Sequence, residues 1–185
     1  MTWLDVLLQH WRVRKARRHI PAGARLLDIG THDGTLFRLA GLGGVGIDPE
    51  LDEDADPVAG VALVRAEFPD GLPTEPAGAF DAAAALAVVE HVPAIELARW
   101  SPSLARLVRP GGVVVVTVPS PMVDHILHVL IRLRLVAGMQ AHQHHGFEPD
   151  DVLAVFAPPQ WRLVKRQGFQ LGLNNLFVFR RDTAP

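Results

Sequence analysis

LLDIGTHDGTLFRLAG, residues 26–41, reads as a short apolar strand, a glycine turn at Gly30 and Gly34, and a helix-like run carrying Leu36, Phe37, Leu39 and Ala40. Glycine lets the chain turn sharply and lets a ligand approach the backbone, because no Cβ intervenes. The helix start behind the turn offers N–H groups without intrahelical partners. GVGIDPE, residues 44–50, is a second strand-like run ending on Asp48, 20 residues after Asp28. An acid at the end of a second strand is placed to accept hydrogen bonds from ribose hydroxyls. Turn and acid together point to an adenosine-containing ligand.

Outward from this pair, apolar runs recur at Ala62–Val64, Phe80–Val89 and Val113–Val118. With Leu26–Ile29 and Gly44–Ile47 they are too uniformly apolar for half-exposed strands and read as buried on both faces. Alternation with helical stretches predicts βαβ units and a parallel sheet. Trp161–Gln167 and Asn175–Arg180 break the rhythm, since the short loop between them, holding Gly168 and Gly172, allows only antiparallel pairing. The expected fold is a single doubly wound α/β domain, Rossmann-like, with a mostly parallel seven-stranded sheet ending in an antiparallel hairpin. Residues 1–20 are expected to precede the domain of residues 21–185 as an amphipathic basic helix. Leu4, Leu7, Leu8 and Trp11 share one helical face, and Arg12, Arg14, Lys15, Arg17 and Arg18 cluster with no acid among them.

Composition narrows the function. The 185 residues are 49% hydrophobic and 21% charged, enough for a packed core and too apolar for a disordered chain. A net charge of −2 argues against generic polyanion binding. No tyrosine is present, and nothing resembles an aromatic-studded nucleic-acid surface. With no cysteine, disulfides and thiolate metal sites are excluded. Asp5, Gln9, His10 and Arg12 interrupt the first apolar stretch, so no signal peptide is expected, and no uncharged apolar run is long enough to span a membrane. A cytoplasmic protein is expected.

FDAAAALAVVEHV, residues 80–92, and LVRPGGVVVVTVPSP, residues 107–121, add two further motifs. With Asp28, Gly30 and Gly34 in the first motif, Phe80, Asp81, Glu90 and His91 in the fourth-strand motif, and Pro110, Gly111 and Gly112 before the fifth strand, the sequence resembles the class I S-adenosylmethionine (SAM)-dependent methyltransferases, in particular the ubiquinone-biosynthesis-like group. The resemblance spans roughly residues 24–180. His32 departs from it, standing where that family places a middle glycine. The resemblance implies SAM as cofactor and S-adenosylhomocysteine as product. It implies that Asp28, Gly30, His32 and Gly34 form the turn at the methionine moiety, that Asp48 and Pro49 sit at the ribose, that Glu67 (or Asp70) and Phe68 sit at the adenine, and that Leu86 and Ala87 give backbone contacts to the methionine end.

The acceptor side is less legible. Met122–Met139 has apolar residues at helical spacing with Arg132 and Arg134 among them; residues 122–147 are expected to form a lid, or else to pack on the core. His142, His144 and His145 follow, in a loop that leaves the carboxyl end of the fifth strand. His145, His144 and His91 are the candidate catalytic bases, histidine being the side chain that titrates near neutrality. The cluster also reads as loop-stabilising, and Glu90 with His91 as structural. No metal site is expected. The reading is methyl transfer to a small-molecule or lipid- or sugar-linked acceptor, at oxygen or nitrogen, with peripheral contact to a membrane through the basic helix kept open. A non-catalytic SAM-fold protein and a nucleotide-dependent oxidoreductase are the alternatives.

Overall fold

The computed structural model describes residues 3–52, 54–120 and 147–183. In chain order the elements are α1 (Trp3–Arg17), β1 (Arg25–Ile29), α2 (Thr35–Ala40), β2 (Gly43–Ile47), β3 (Val61–Val64), β4 (Phe80–Leu86), a 3-10 turn (Val89–His91), α3 (Ala94–Leu107), β5 (Val108–Pro119), α4 (Asp151–Val155), β6 (Trp161–Phe169) and β7 (Asn174–Arg181). One seven-stranded sheet runs in the order β3-β2-β1-β4-β5-β7-β6. The first five strands are parallel, while β7 lies antiparallel between β5 and β6. This is the doubly wound sheet with a terminal hairpin that the apolar runs predict.

The two-residue period of the strands sorts their side chains into two cores. Leu27, Ile29, Ala83, Ala85, Val114, Val116 and Val118 pack with Leu97, Trp100, Leu104 and Leu107 of α3 and Val152 of α4. Leu26, Ala82, Ala84, Val113 and Val115 pack on the other face with Val13 and Ala16 of α1 and Leu36, Phe37 and Ala40 of α2. Both faces are covered, which is why these strands read as continuous apolar runs. The alanines of β4 keep the centre of the sheet thin enough for helices to approach from both sides.

Four expectations change. β3 is the sheet edge: Ala62 is exposed and Val61, Leu63 and Val64 are half-buried. Between β2 and β3, and between β3 and β4, the described residues form turns and no helix. The run Phe80–Val89 is not one strand; β4 stops at Leu86, and Ala87 turns left-handed with φ 58°. α1 also orients differently from its apolar pattern. Leu7 and Trp11 are exposed, Val13 and Ala16 face the core, and Leu8 is half-buried. The helix is tied down at both ends of its inner face. The Arg17 Nε–H donates to the Ala40 carbonyl at 3.3 Å, and the Gln170 side-chain amide donates to the Leu8 carbonyl at 2.9 Å.

Candidate active site

The strand order reverses between β1 and β4, and open α/β sheets take their ligands at the carboxyl ends of strands at such a point. A cavity of about 920 Å³ opens there. Gly30 and His32 reach it from the turn after β1, Asp48, Pro49 and Glu50 from the end of β2, Glu67 and Phe68 from the loop after β3, and Leu86, Ala87 and Val88 from the end of β4. All of these but Glu50 and Val88 are residues that the sequence names as cofactor contacts, and they come from four separate segments to line one space. His91 lines it as well.

Two of the expected residues stand elsewhere. Gly34 does not line the cavity; it caps α2 in a left-handed conformation, φ 78°. Asp28 is buried in β1, and burial, with the carboxylates of Asp48 and Asp33 nearby, pushes its carboxyl up to about 7. One of the N–H groups expected to be free at the helix start is engaged, since Thr35 N–H donates to Asp33 Oδ1 at 2.9 Å. An acid in that position disfavours a pyrophosphate there, and with it a dinucleotide. Asp70 forms an ion pair with Arg99 and does not line the cavity, which leaves Glu67 as the acid at that end.

Asp48 is 8% exposed, and its carboxylate is fixed from both sides. Oδ2 accepts the His32 N–H and Oδ1 accepts the Glu50 N–H, each at 2.8 Å. A carboxylate oxygen has further lone-pair capacity, so two aligned acceptors remain for a pair of hydroxyls. Beside it, Phe68 and Trp100 meet edge to face with centroids 5.3 Å apart and form an aromatic wall.

His32 has φ 50°, the left-handed region that a glycine in this place would occupy without strain. His32→Gly is therefore expected to gain up to about 1 kcal/mol of stability in urea denaturation. A loss of stability would show that the imidazole's contacts outweigh the backbone strain. Gly30 is constrained by packing as well as by the close ligand approach read from sequence. A Cβ on Gly30, at φ 76°, would lie 2.2 Å from Val88 Cγ2, so Gly30→Val disturbs the packing of the turn as well as the cavity.

A charged pair closes the far side. Arg12 of α1 lines the cavity, and Glu90, 2% exposed, lies within its electrostatic reach. Burial pulls the Arg12 guanidinium below its usual value and pushes the Glu90 carboxyl up to about 7. Glu90 Oε1 is 3.9 Å from His91 Nε2.

A family model for a methyltransferase domain matches residues 3–171. The chain belongs to the methyltransferase family. No curated protein matches its sequence. The fold is shared with solved structures at low identity. An S-adenosylmethionine-dependent methyltransferase from Mesorhizobium loti aligns at 17% identity and TM-score 0.65, over 91% of this chain and 96% of that one. The N-methyltransferase NodS from Bradyrhizobium japonicum aligns at 14% and 0.64, over 95% and 97%. A 1,6-didemethyltoxoflavin-N1-methyltransferase from Burkholderia thailandensis, solved with S-adenosylhomocysteine, aligns at 16% and 0.66, over 97% and 82%.

Within this methyltransferase not every motif residue serves the cavity. Asp81 is a brace: it accepts the Arg25 N–H at 2.8 Å and the Arg109 Nε–H at 2.6 Å, which joins the starts of β1 and β5. Sequence reasoning missed Arg12, Glu50, Trp100, Gln170 and Asn174 as cavity residues. Only Glu50 had a visible signal, two positions beyond Asp48; the others arrive from elements distant in sequence. The segment of residues 122–146, with His142, His144 and His145, lies outside the described residues.

Proposed function

We propose that the cavity binds SAM and that the enzyme transfers its methyl group to a small-molecule acceptor at oxygen or nitrogen by in-line displacement. The observation that supports this most is the convergence of Gly30, Asp48, Phe68 and Ala87 on one cavity at the sheet's reversal point. The residues fit the cofactor. The volume lies in the range of small-molecule sites, roughly 300–1,000 Å³. The fixed carboxylate of Asp48 suits ribose hydroxyls, the Phe68–Trp100 wall suits adenine, and the backbone of Leu86 and Ala87 suits the methionine end. When bound, SAM supplies an electrophilic methyl on a sulfonium. The chain's part is to hold cofactor and acceptor in line and exclude water, which α1 and the β6–β7 loop favour by covering one side. His91, which lines the cavity, is our candidate to take a proton from the acceptor. His144 and His145 are further candidates in the segment after β5.

Calorimetry with SAM and S-adenosylhomocysteine tests the cofactor. Asp48→Asn is a milder probe than alanine, because the amide oxygen still accepts one of the His32 and Glu50 N–H groups, whereas alanine would orphan both. The asparagine variant is expected to bind about 5- to 30-fold more weakly, about 1–2 kcal/mol. Unchanged affinity would remove Asp48 from the ribose site.

A further inference from the structure

We infer that the outer face of α1 and the tip of the β6–β7 loop form a docking surface for a bilayer carrying anionic lipids. The inference is independent of the cofactor reading. Leu7, Trp11 and Arg14 stand at i, i+4 and i+7, one stripe of α1, and all three are exposed. Arg18, just past the helix, is exposed as well. Residues 6–20 hold Arg12, Arg14, Lys15, Arg17 and Arg18 and no acid, although the whole chain carries a net charge of −2. Lys165 of β6 joins this cluster in space: burial and the charges of Lys165, Lys15 and Arg18 together pull the His19 imidazole below its usual value. Among the described residues no carboxylate pairs with Arg14, Lys15, Arg18 or Lys165.

The loop supplies a protruding apolar group. Leu171 is 95% exposed and has φ 58°, left-handed backbone that a leucine adopts only under strain. The buried Gln170 before it, itself at φ 52°, holds it there: its side-chain amide donates to the Leu8 carbonyl at 2.9 Å, and its Oε1 accepts from Asn174. The same bond brings the loop against the turn of α1 that carries Leu7 and Leu8. Strain that presents a bare leucine to water gains nothing within the folded chain; lipid that takes up the side chain offsets it. Aliphatic and indole groups beside arginine and lysine are the make-up of an interfacial face, in which the apolar groups enter the headgroup boundary and the cations meet lipid phosphates. A second copy docked on the same face would set these cations against their like, and Leu171 offers a nucleic acid no ring on which to stack. No described helix is long and apolar enough to cross a membrane, so the contact is with the surface of the bilayer. Leu8, Gln9 and Gln170 line the cavity, so the docking surface borders it.

The test sediments the full chain with vesicles of phosphatidylcholine, alone or mixed with phosphatidylglycerol. Wild type is expected to bind the mixed vesicles at least about tenfold more tightly than the neutral ones, and more weakly as salt rises. Arg14→Gln combined with Arg18→Gln is expected to cut binding to mixed vesicles about 10- to 30-fold, and Leu171→Asn about 3- to 10-fold. Asparagine tolerates left-handed backbone, so Leu171→Asn should keep or raise the melting temperature, which separates lost docking from a lost fold. Absence of binding to mixed vesicles, equal binding to neutral ones, or undiminished binding of Leu171→Asn overturns the inference. So does a dimer in sedimentation velocity that Leu171→Asn dissolves, which assigns the surface to a second copy, or a single-stranded RNA that displaces the protein from the vesicles, which assigns it to nucleic acid.

Discussion

His91→Ala is expected to lower kcat by about 10²–10⁴ while leaving S-adenosylhomocysteine affinity unchanged. The imidazole lines the cavity on the 3-10 turn that follows β4, and its Nε2 lies 3.9 Å from the buried Glu90. A base matters most when the acceptor must lose a proton early, so the effect should be largest for hydroxyl acceptors and smaller for free amines. The assay needs an acceptor, found by screening hydroxylated and amine-bearing compounds against SAM turnover. Full activity in His91→Ala with loss in a His144/His145 double-alanine variant would transfer the role to the segment after β5. Full activity in both would leave catalysis to positioning alone.

Stability is expected to fall as pH rises from about 5 to 8, and two residues account for it. Glu90 moves from an ordinary value of 4.5 to about 7 in the fold, and Asp28 from 3.8 to about 7, burial being the main cause in both. Between those values the folded chain binds a proton that the unfolded chain has released. The stability contributed is therefore whole below the unfolded value and lost as pH climbs through the folded one. Each group is expected to remove about 2–3 kcal/mol between pH 5 and pH 8. Asp70 and Asp81, held low by hydrogen bonds with Arg99 and with Arg25 and Arg109, act in the opposite sense, at more acid pH. Urea denaturation of wild type, Glu90→Gln and Asp28→Asn at the two pH values separates the terms. Each variant should lose roughly half of the wild-type drop; an undiminished drop in both would place the titrating groups elsewhere.

The sheet was legible because its central strands are buried on both faces and because the β6–β7 loop is too short for a crossover. The cofactor half of the cavity was legible for a related reason. Gly30, His32, Asp48 and Ala87 sit within three residues of a strand's carboxyl end, so locating the strand locates the residue. The orientation of α1 was not legible. Its apolar positions at Leu7 and Trp11 mark an exposed face, and the residues that pack inward are Val13 and the small Ala16. Which face of a short helix turns inward depends on what it meets, here α2 and the β6–β7 loop.

By itself the sequence determined the α/β class, the parallel sheet with its antiparallel end, and most of the turn residues that line the cavity, because periodicity, glycine and strand-end acids act locally. Only the tertiary structure decided which charges share a low-dielectric space. It sent Asp81 to a brace and Asp33 to the start of α2, set His32 in left-handed backbone, and placed Arg12 beside Glu90 across 78 positions of chain. Contacts between distant segments carry no signature in either segment, since the energy that selects them exists only once both are desolvated together.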